Sequence, residues 1–348
     1  MSAHQQPSHL ELMEGVRAFI PPLGFKTHKG QSGKIGIIGG SQEYTGAPFF
    51  AGLSALRAGA DLAHVFCTQG AAQAIKSYSP ELIVHPYLPP EGSAVGGAEE
   101  KKATEQITSW LKRFTCIVVG PGLGRDPVAA AVVQGVVREA RRANIPLVID
   151  ADGLWILNQH PELVKGYKKA VVTPNAVEFK RLAAALGVEL TSDNGSSAEA
   201  NRTAAMRLAA ALDGPVVVQK GYVDTITDGE HCFECRQLGV PRRCGGLGDI
   251  LSGSTATFVS WADGAQADDS KQTSALDACG GNNLLLAAYA ACALTRVSAR
   301  QTFRVRKRSM LAGDVIDTVG SVFAQKFEIP AADPDADDDE RPSIGFQF

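Results

Sequence analysis

The run KIGIIGG (Lys34–Gly40), continued by SQEYTGAP (Ser41–Pro48), decides how the rest of the chain is read. An isoleucine-rich run that ends in glycines and passes into a helical stretch, near Ala47–Ala58, is the opening of a βαβ unit. The same order recurs downstream. Strands are predicted at Lys34–Gly39, Leu62–Cys67, Leu82–His85, Cys116–Val119, Leu147–Asp150, Ala170–Val172 and Val216–Gln219. Helices are predicted near Lys102–Lys112, Val128–Arg142, Asn175–Leu186 and Ala198–Leu212. Apolar strands that alternate with helices call for a mostly parallel, doubly wound sheet covered on both faces, an α/β fold.

After Lys220 the pattern changes. Two alternating runs, Tyr222–Thr227 and His231–Cys235, flank Asp228-Gly229, a hairpin-turn signal. A helix is predicted from the glycine-rich Gly245–Asp249 towards Trp261, and two more near Asn283–Arg300 and Ser309–Phe323. The expected organisation is an N-terminal extension over residues 1–18, one catalytic domain over 19–327 with a polar insertion loop at about 265–282, and an acidic tail over 328–348. The tail should be disordered, because six acids and no base between Ala331 and Glu340 cannot build a core.

With 45 % hydrophobic residues the chain can bury a large core, while 7 % aromatics and 36 glycines suit close helix-on-sheet packing rather than an all-β architecture. The net charge of −3 gives no reason to expect nucleic acid or an anionic membrane as partner. Without the acidic tail the remainder is mildly basic, as a phosphate binder tolerates. Met1–Ile20 lacks the basic and apolar regions of a secretory leader, and Glu11 and Glu14 speak against a mitochondrial one. Seven cysteines without framework spacing read as reduced thiols, so a cytoplasmic location is expected, with a mitochondrial pool left open.

Ligands of open α/β sheets bind outside the carboxyl ends of the strands, so the segments that follow each strand carry the candidate chemistry. GGLGD (Gly245–Asp249) leads into a helix whose first amides offer an anion hole, and Asp249 could take a proton from an attacking hydroxyl. The competing reading is a glycine turn with a capping acid, but Arg242 and Arg243 just upstream supply the cations that phosphates need. In TPNAVEF, Asn175 and Glu178 share one helix face; they could organise a hydrated Mg²⁺, or simply form a capping box. Lys220 in KGYVD is either a phosphate partner or a solvated loop lysine. GPGLG (Gly120–Gly124) permits close backbone approach but fails the dinucleotide pattern at Arg125, and GQSGK (Gly30–Lys34) fails the P-loop spacing. Cys232-Phe-Glu-Cys235 is a lone C-x-x-C in a hairpin, a weak zinc signal. Asp150 and Asp152 either assist a metal or cap the following helix.

Together, HKGQSGKIGIIGGSQEYTGAPFFAG (His28–Gly52), GADLAHVFC (Gly59–Cys67), SPELIVHP (Ser79–Pro86), VVGPGLGRD (Val118–Asp126), VIDADGLWIL (Val148–Leu157), TPNAVEF, QKGYVD and RRCGGLGDILSG (Arg242–Gly253) closely resemble the ATP-dependent (S)-NAD(P)H-hydrate dehydratases of the ribokinase-like superfamily. The resemblance covers roughly Phe19–Phe327 and implies a ribokinase-like three-layer α/β/α sandwich. It implies that (6S)-hydrated NADH or NADPH plus ATP yields the intact cofactor, ADP and phosphate. ATP would lie along Lys220, Gly221, Tyr222, Val223 and Asp224, and along Gly239, Val240, Pro241, Arg242, Arg243, Cys244, Gly245, Gly246, Leu247 and Gly248. The hydrated nucleotide would contact Gly122, Gly124, Asn175, Ala176, Val177, Glu178, Phe179, Lys180, Arg181 and Asp249. Asn175 and Glu178 would organise Mg²⁺, through water, and Asp249 would act as base on the 6-hydroxyl. The HVFC and DADGLW wording is closer to the eukaryotic, ATP-using branch than to bacterial relatives that commonly use ADP; local physics does not separate the nucleotides. The nearest alternative is a superfamily kinase of a vitamin-precursor alcohol, of the hydroxymethylpyrimidine or hydroxyethylthiazole type. A catalytically silent nucleotide-binding or scaffold protein is a third reading, disfavoured by the intact Asp249. Partners are expected to be small molecules, and homo-oligomers are open.

Overall fold

The computed structural model describes residues 7–25, 27–190, 198–265 and 278–328. Nine strands form one sheet: β1 (Lys34–Ile38), β2 (Leu62–Thr68), β3 (Ile83–Leu88), β4 (Cys116–Val119), β5 (Leu147–Ile149), β6 (Ala170–Val172), β7 (Val216–Gln219), β8 (Asp224–Thr227) and β9 (Cys232–Cys235). Their order is β3-β2-β1-β4-β5-β6-β7-β8-β9, parallel through β7 and antiparallel at β8 and β9. All seven predicted parallel strands are present. The direction of strand addition reverses between β1 and β4, where Ile37 lies opposite Val118, and that switch point opens a crevice at the carboxyl ends of both strands.

Helices cover both faces. One layer holds α1 (His9–Phe19), α2 (Gly46–Arg57), α3 (Gln69–Tyr78), α9 (Leu247–Ala265), α10 (Asn283–Arg306) and α11 (Ala312–Lys326). The other holds α4 (Ala98–Thr108), α5 (Pro127–Arg142), α6 (Asp152–Leu157), α7 (Ala176–Ala185) and α8 (Ala198–Leu212). Side-chain alternation assigns each strand residue to one core: Cys116 and Val118 pack under the first layer, Ile117 and Val119 under the second.

Several boundaries differ from the sequence reading. Helix α3 is absent from it, because its apolar face is only Ala71, Ala72 and Ile75; the Thr68 hydroxyl caps it by accepting from the Ala71 amide. Helix α4 begins four residues early, straight after Gly97, with Glu99 and Glu100 in the first turn where the helix dipole favours acids. The final helix starts at Ala312 instead of Ser309, since Lys307–Ser309 form a short 3-10 turn. Asp228-Gly229 is not a two-residue turn: Thr227 pairs with Cys232, and Asp228 Oδ1 accepts from the amides of Glu230 and His231 across a four-residue loop. Tyr222, predicted in a strand, is exposed ahead of β8.

Residues 1–18 do not stand apart from the domain as far as they are described. Helix α1 opens with a capping box between Ser8 and Glu11 and buries Leu12, Met13, Val16 and Phe19 in the first core, while His9 Nδ1 meets the Tyr289 hydroxyl at 2.8 Å. Most of the polar insertion, and the acidic tail beyond Glu328, lie outside the described residues.

Because Leu12 is fully buried, Leu12→Ala should cost about 2–5 kcal/mol. Urea denaturation should show a lower midpoint with an unchanged slope if α1 belongs to the cooperative unit.

Candidate active site

The site begins where β5 ends. Gly120, at the end of β4, has φ +119, and a Cβ there would sit 1.9 Å from the Asp150 carbonyl oxygen, so only glycine lets the two strand ends approach so closely. Ala151 follows with φ 48 and ψ −120, a backbone conformation that costs about 1–3 kcal/mol and concentrates at functional sites. That bend turns the chain into α6 and separates the tasks of two aspartates. Asp150 is 2 % exposed; its Oδ1 accepts from Lys220 Nζ and from the Thr173 hydroxyl, both at 2.8 Å. Asp152 Oδ2 accepts from the Gly124 amide at 3.0 Å, which fixes the glycine loop instead of capping the helix.

Lys220 is delivered by β7, and its amide donates to the Pro174 carbonyl, which ties the KGYVD segment to the strand end beside Asn175. Its ammonium lies 3.9 Å from Glu178 as well as 2.8 Å from Asp150. Burial works against that charge, but Asp150 and Glu178 outweigh it and raise the Lys220 pKa. Lys220 is therefore an ion-paired cation and not a solvated loop residue. Asn175 Oδ1 accepts from the amides of Val177 and Glu178, and Glu178 Oε2 accepts from the Asn175 amide, a complete capping box. The pair is thus a helix cap in this structure, and among the described residues no group of three or more His, Cys, Asp or Glu could hold a metal.

Helix α9 starts at Leu247, and the Ile250 amide bonds back to the Gly246 carbonyl, so the amides of the first turn have no partner inside the helix. Gly246, at φ +96, packs so tightly that a Cβ would lie 2.6 Å from the Ala312 Cβ and 2.9 Å from the Phe50 ring. Asp249 stands in that first turn. Burial pushes its pKa up to about 7, the negative charge of Asp150 adds to the effect, and Lys220 opposes it. A carboxyl so placed is matched to proton transfer near neutral pH.

Beside these groups lies a cleft of about 1090 Å³ lined by Asn175, Ala176, Val177, Lys220–Asp224, Gly239–Cys244, Leu247 and Gly248. Arg242 Nε and Thr295 Oγ1, both on residues of this wall, are buried without a hydrogen-bond partner among the described residues. One side chain that the sequence reading did not single out builds the wall. Arg296, from α10, grips both oxygens of Asp224 and donates to the carbonyls of Gly221 (2.8 Å), Tyr222 (2.9 Å) and Gln237 (3.1 Å). Asp224 also accepts from the Gly221 amide, so it organises the loop and its carboxylate is already spent.

The remaining substrate-side residues divide. Gly40 and Ser41 amides donate to the Gly122 carbonyl, which sets the two switch-point loops back to back, and the Ser41 hydroxyl is buried there without a partner among the described residues. Lys180 and Arg181 are exposed on α7, whereas Phe179 is 3 % exposed and belongs to the second core, so its side chain cannot reach a ligand. Cys232 and Cys235, three apart on a strand, project from opposite faces; burial pushes their thiols up to about 11 and about 12, which removes the zinc reading. Ser41, Thr295 and Arg296 are the additions. Thr295 and Arg296 had no sequence signal, since both sit mid-helix.

The family model for NAD(P)H-hydrate dehydratase matches residues 35–320. The chain is 47 % identical over 327 residues to the ATP-dependent (S)-NAD(P)H-hydrate dehydratase of Bos taurus, covering 94 % of this chain and 92 % of that protein. It is 45 % identical to the Homo sapiens protein of the same description, with 94 % and 87 % covered. Among solved structures, the fold resembles a ribokinase-like superfamily protein from Enterococcus faecalis (TM-score 0.68, 20 % identity, covering 90 % and 94 %). It also resembles an ADP/ATP-dependent NAD(P)H-hydrate dehydratase from Bacillus subtilis co-crystallized with ATP/Mg2+ (TM-score 0.63, 21 % identity, covering 94 % and 100 %).

Asp249 has a folded pKa of about 7 against an ordinary 3.8, so between those values the folded chain binds more protons and stability falls as pH rises. Asp249→Asn removes that penalty: its melting temperature should exceed the parent's by a few degrees at pH 8 and converge with it near pH 4. Equal melting temperatures at pH 8 would show that Asp249 is not buried as described.

Proposed function

Because this chain belongs to the NAD(P)H-hydrate dehydratase family, we propose that it dehydrates (6S)-hydrated NADH and NADPH at the expense of ATP, releasing ADP and phosphate. The observation that carries this is a half-buried carboxylate, Asp249, at the amino end of a 19-residue helix beside a cleft whose wall holds the unpaired Arg242 Nε and Thr295 Oγ1. Asp249 takes the proton of the 6-hydroxyl as that oxygen attacks the terminal phosphoryl group of ATP. The helix amides, Arg242 and Lys220 meet the charge that develops on the transferred oxygens. The ring-nitrogen lone pair then expels phosphate from C6, and loss of a proton from C5 restores the ring double bond. No acid is needed for that departure, since phosphorylation has replaced a poor leaving group by a good one.

ATP is assigned to the cleft wall formed by Lys220–Val223, Gly239–Cys244 and the first turn of α9, and the hydrated nucleotide to the switch-point side, with Gly122, Gly124 and Ser41. Glu178 and Asn175 fit Mg²⁺ only through its waters, because their inner oxygens already serve the helix cap and Lys220 crowds Glu178. Bound with ATP, Mg²⁺ would neutralise phosphate charge. Among the described residues no helix is long and apolar enough to cross a membrane, and all seven cysteines are free. We place the protein in a reducing compartment, the cytoplasm, acting on small molecules.

Purified protein incubated with hydrated NADH and ATP should restore dihydronicotinamide absorbance while releasing ADP and phosphate in equal amounts. Retention of the phosphate on an alcohol such as hydroxyethylthiazole, with no action on hydrated NADH, would instead establish the kinase reading. Asp249→Asn should lower kcat by about 10²–10⁴ with ATP binding kept, the span that loss of a general base produces. Arg296→Lys, which loses the fork that ties Asp224 to three carbonyls, should raise KM for ATP by about tenfold while kcat changes little.

A further inference from the structure

The turn between the last two helices carries a feature that the reaction does not use. Arg304, Val305, Arg306, Lys307, Arg308 and Ser309 are all exposed, and four of the six are cations. Lys307 adopts φ 52, which swings the chain out of α10, and the Ser309 hydroxyl, on the surface, donates to the Arg306 carbonyl at 2.7 Å. The next residue, Met310, is fully buried and anchors the turn. A surface serine preceded by an unbroken run of cations has the charge pattern of a substrate for protein kinases whose grooves are acidic.

The turn is coupled to the site by contacts on both sides. Arg306 Nε bonds Asp314 Oδ1 at 3.2 Å, and Asp314 Oδ2 accepts from the Leu311 amide at 2.8 Å, so this pair holds the first turn of α11. Ala312, in that turn, is one of the residues against which Gly246 packs, and Gly246 immediately precedes the helix that carries Asp249.

We propose that Ser309 is a phosphorylation site for a serine/threonine protein kinase selective for basic sequences, and that its modification lowers turnover. The kinase transfers the γ-phosphoryl group of its own ATP: a bond forms between Ser309 Oγ and phosphorus, the bond from phosphorus to the ADP oxygen breaks, and the hydroxyl proton passes to the kinase's base. The modified oxygen can no longer donate to the Arg306 carbonyl. A group of charge about −2 beside Arg304, Arg306, Lys307 and Arg308 forms charge-assisted hydrogen bonds with them. Arg306 is thereby drawn from Asp314, the first turn of α11 loses its brace, and the contact of Ala312 with Gly246 shifts. The nucleotide wall built by Arg296 is not involved, so kcat falls while KM for ATP holds.

The effect on turnover rests on the dehydratase reading; the modification does not. The full-length protein is treated with the catalytic subunit of cAMP-dependent protein kinase and Mg-ATP, mapped by mass spectrometry, and assayed after kinase removal. Expected is about one phosphate per chain, on Ser309, with kcat lowered about fivefold or more, the lower end of typical couplings between sites. Ser309→Ala should keep the untreated turnover and take up no phosphate there, and Arg306→Gln with Arg308→Gln should label much more slowly. Failure to label Ser309 in the folded protein overturns the proposal, and so does labelling that leaves kcat unchanged. Were the dehydratase reading itself wrong, untreated protein would show no turnover, yet the labelling would still decide the modification site.

Discussion

One ammonium, Lys220, stands among three carboxylates that the fold has taken out of water, and the rest of the molecule serves to keep that unequal arrangement in place. Lys220 pairs directly with Asp150 and lies 3.9 Å from Glu178, while Asp249 is close enough for its charge to be felt. Two buried charges of opposite sign compensate each other; a surplus of negative charge does not, and its cost must be met by packing elsewhere. The parallel sheet does this by fixing each member through backbone. Asp150 ends β5, Lys220 ends β7 with its amide on Pro174, and Thr173 ends β6 with its hydroxyl on Asp150. Three neighbouring strand ends thus hold one ion pair, and the uncompensated charge falls on Asp249. Burial raises the Asp249 pKa first, and the strand order adds the charge of Asp150 to it.

The same order gives the proposed site two sides. At the switch point the loops after β1 and β4 stand back to back, joined by the Gly40 and Ser41 amides on the Gly122 carbonyl. On the other side the antiparallel hairpin β8–β9 widens the sheet and carries the wall that Arg296 fastens. Asp152 links the halves, since it follows β5 in sequence yet holds the Gly124 amide. The strained Ala151 lets residues two apart serve the ion pair and the glycine loop separately. A straight strand would send both carboxylates to the same face.

Much of this was legible in the sequence because parallel strands buried on both faces have no other way to be written: all seven stood out as apolar runs, five of them leading into Gly, Pro, Asn or acidic residues. Asp249 stood out because glycines and arginines precede it. What was not legible depended on distance in sequence. Arg296 acts 72 residues from Asp224, from the middle of a helix whose composition gives no sign of it. Phe179 lay in a motif otherwise facing the cleft, but helical periodicity turns it towards the core. Helix α3, with three small or apolar contacts and a threonine cap, was too faint for periodicity to show. Asn175 and Glu178 show the limit most clearly, since one spacing serves a cap and a metal equally, and the hydrogen bonds in place are those of the cap.

Burial of Asp249 also bears on how the proposed reaction would favour a substrate alcohol over water. A carboxylate in open water, with an ordinary pKa, would be a weak base at neutral pH, and water would compete with any alcohol as acceptor. Desolvation changes both terms: it raises the pKa to about 7 and strips water from the carboxylate. As the proposed base, Asp249 would then act only on a hydroxyl that a bound substrate brings to it. Selectivity for a substrate alcohol over water and basicity at neutral pH therefore have one physical origin. That origin is the placement of Asp249 in the first turn of a helix whose preceding glycine is pressed against Ala312 and Phe50. Any change that loosens this contact admits water to the carboxylate and lowers its pKa together, so activity and fidelity should fail in step rather than separately.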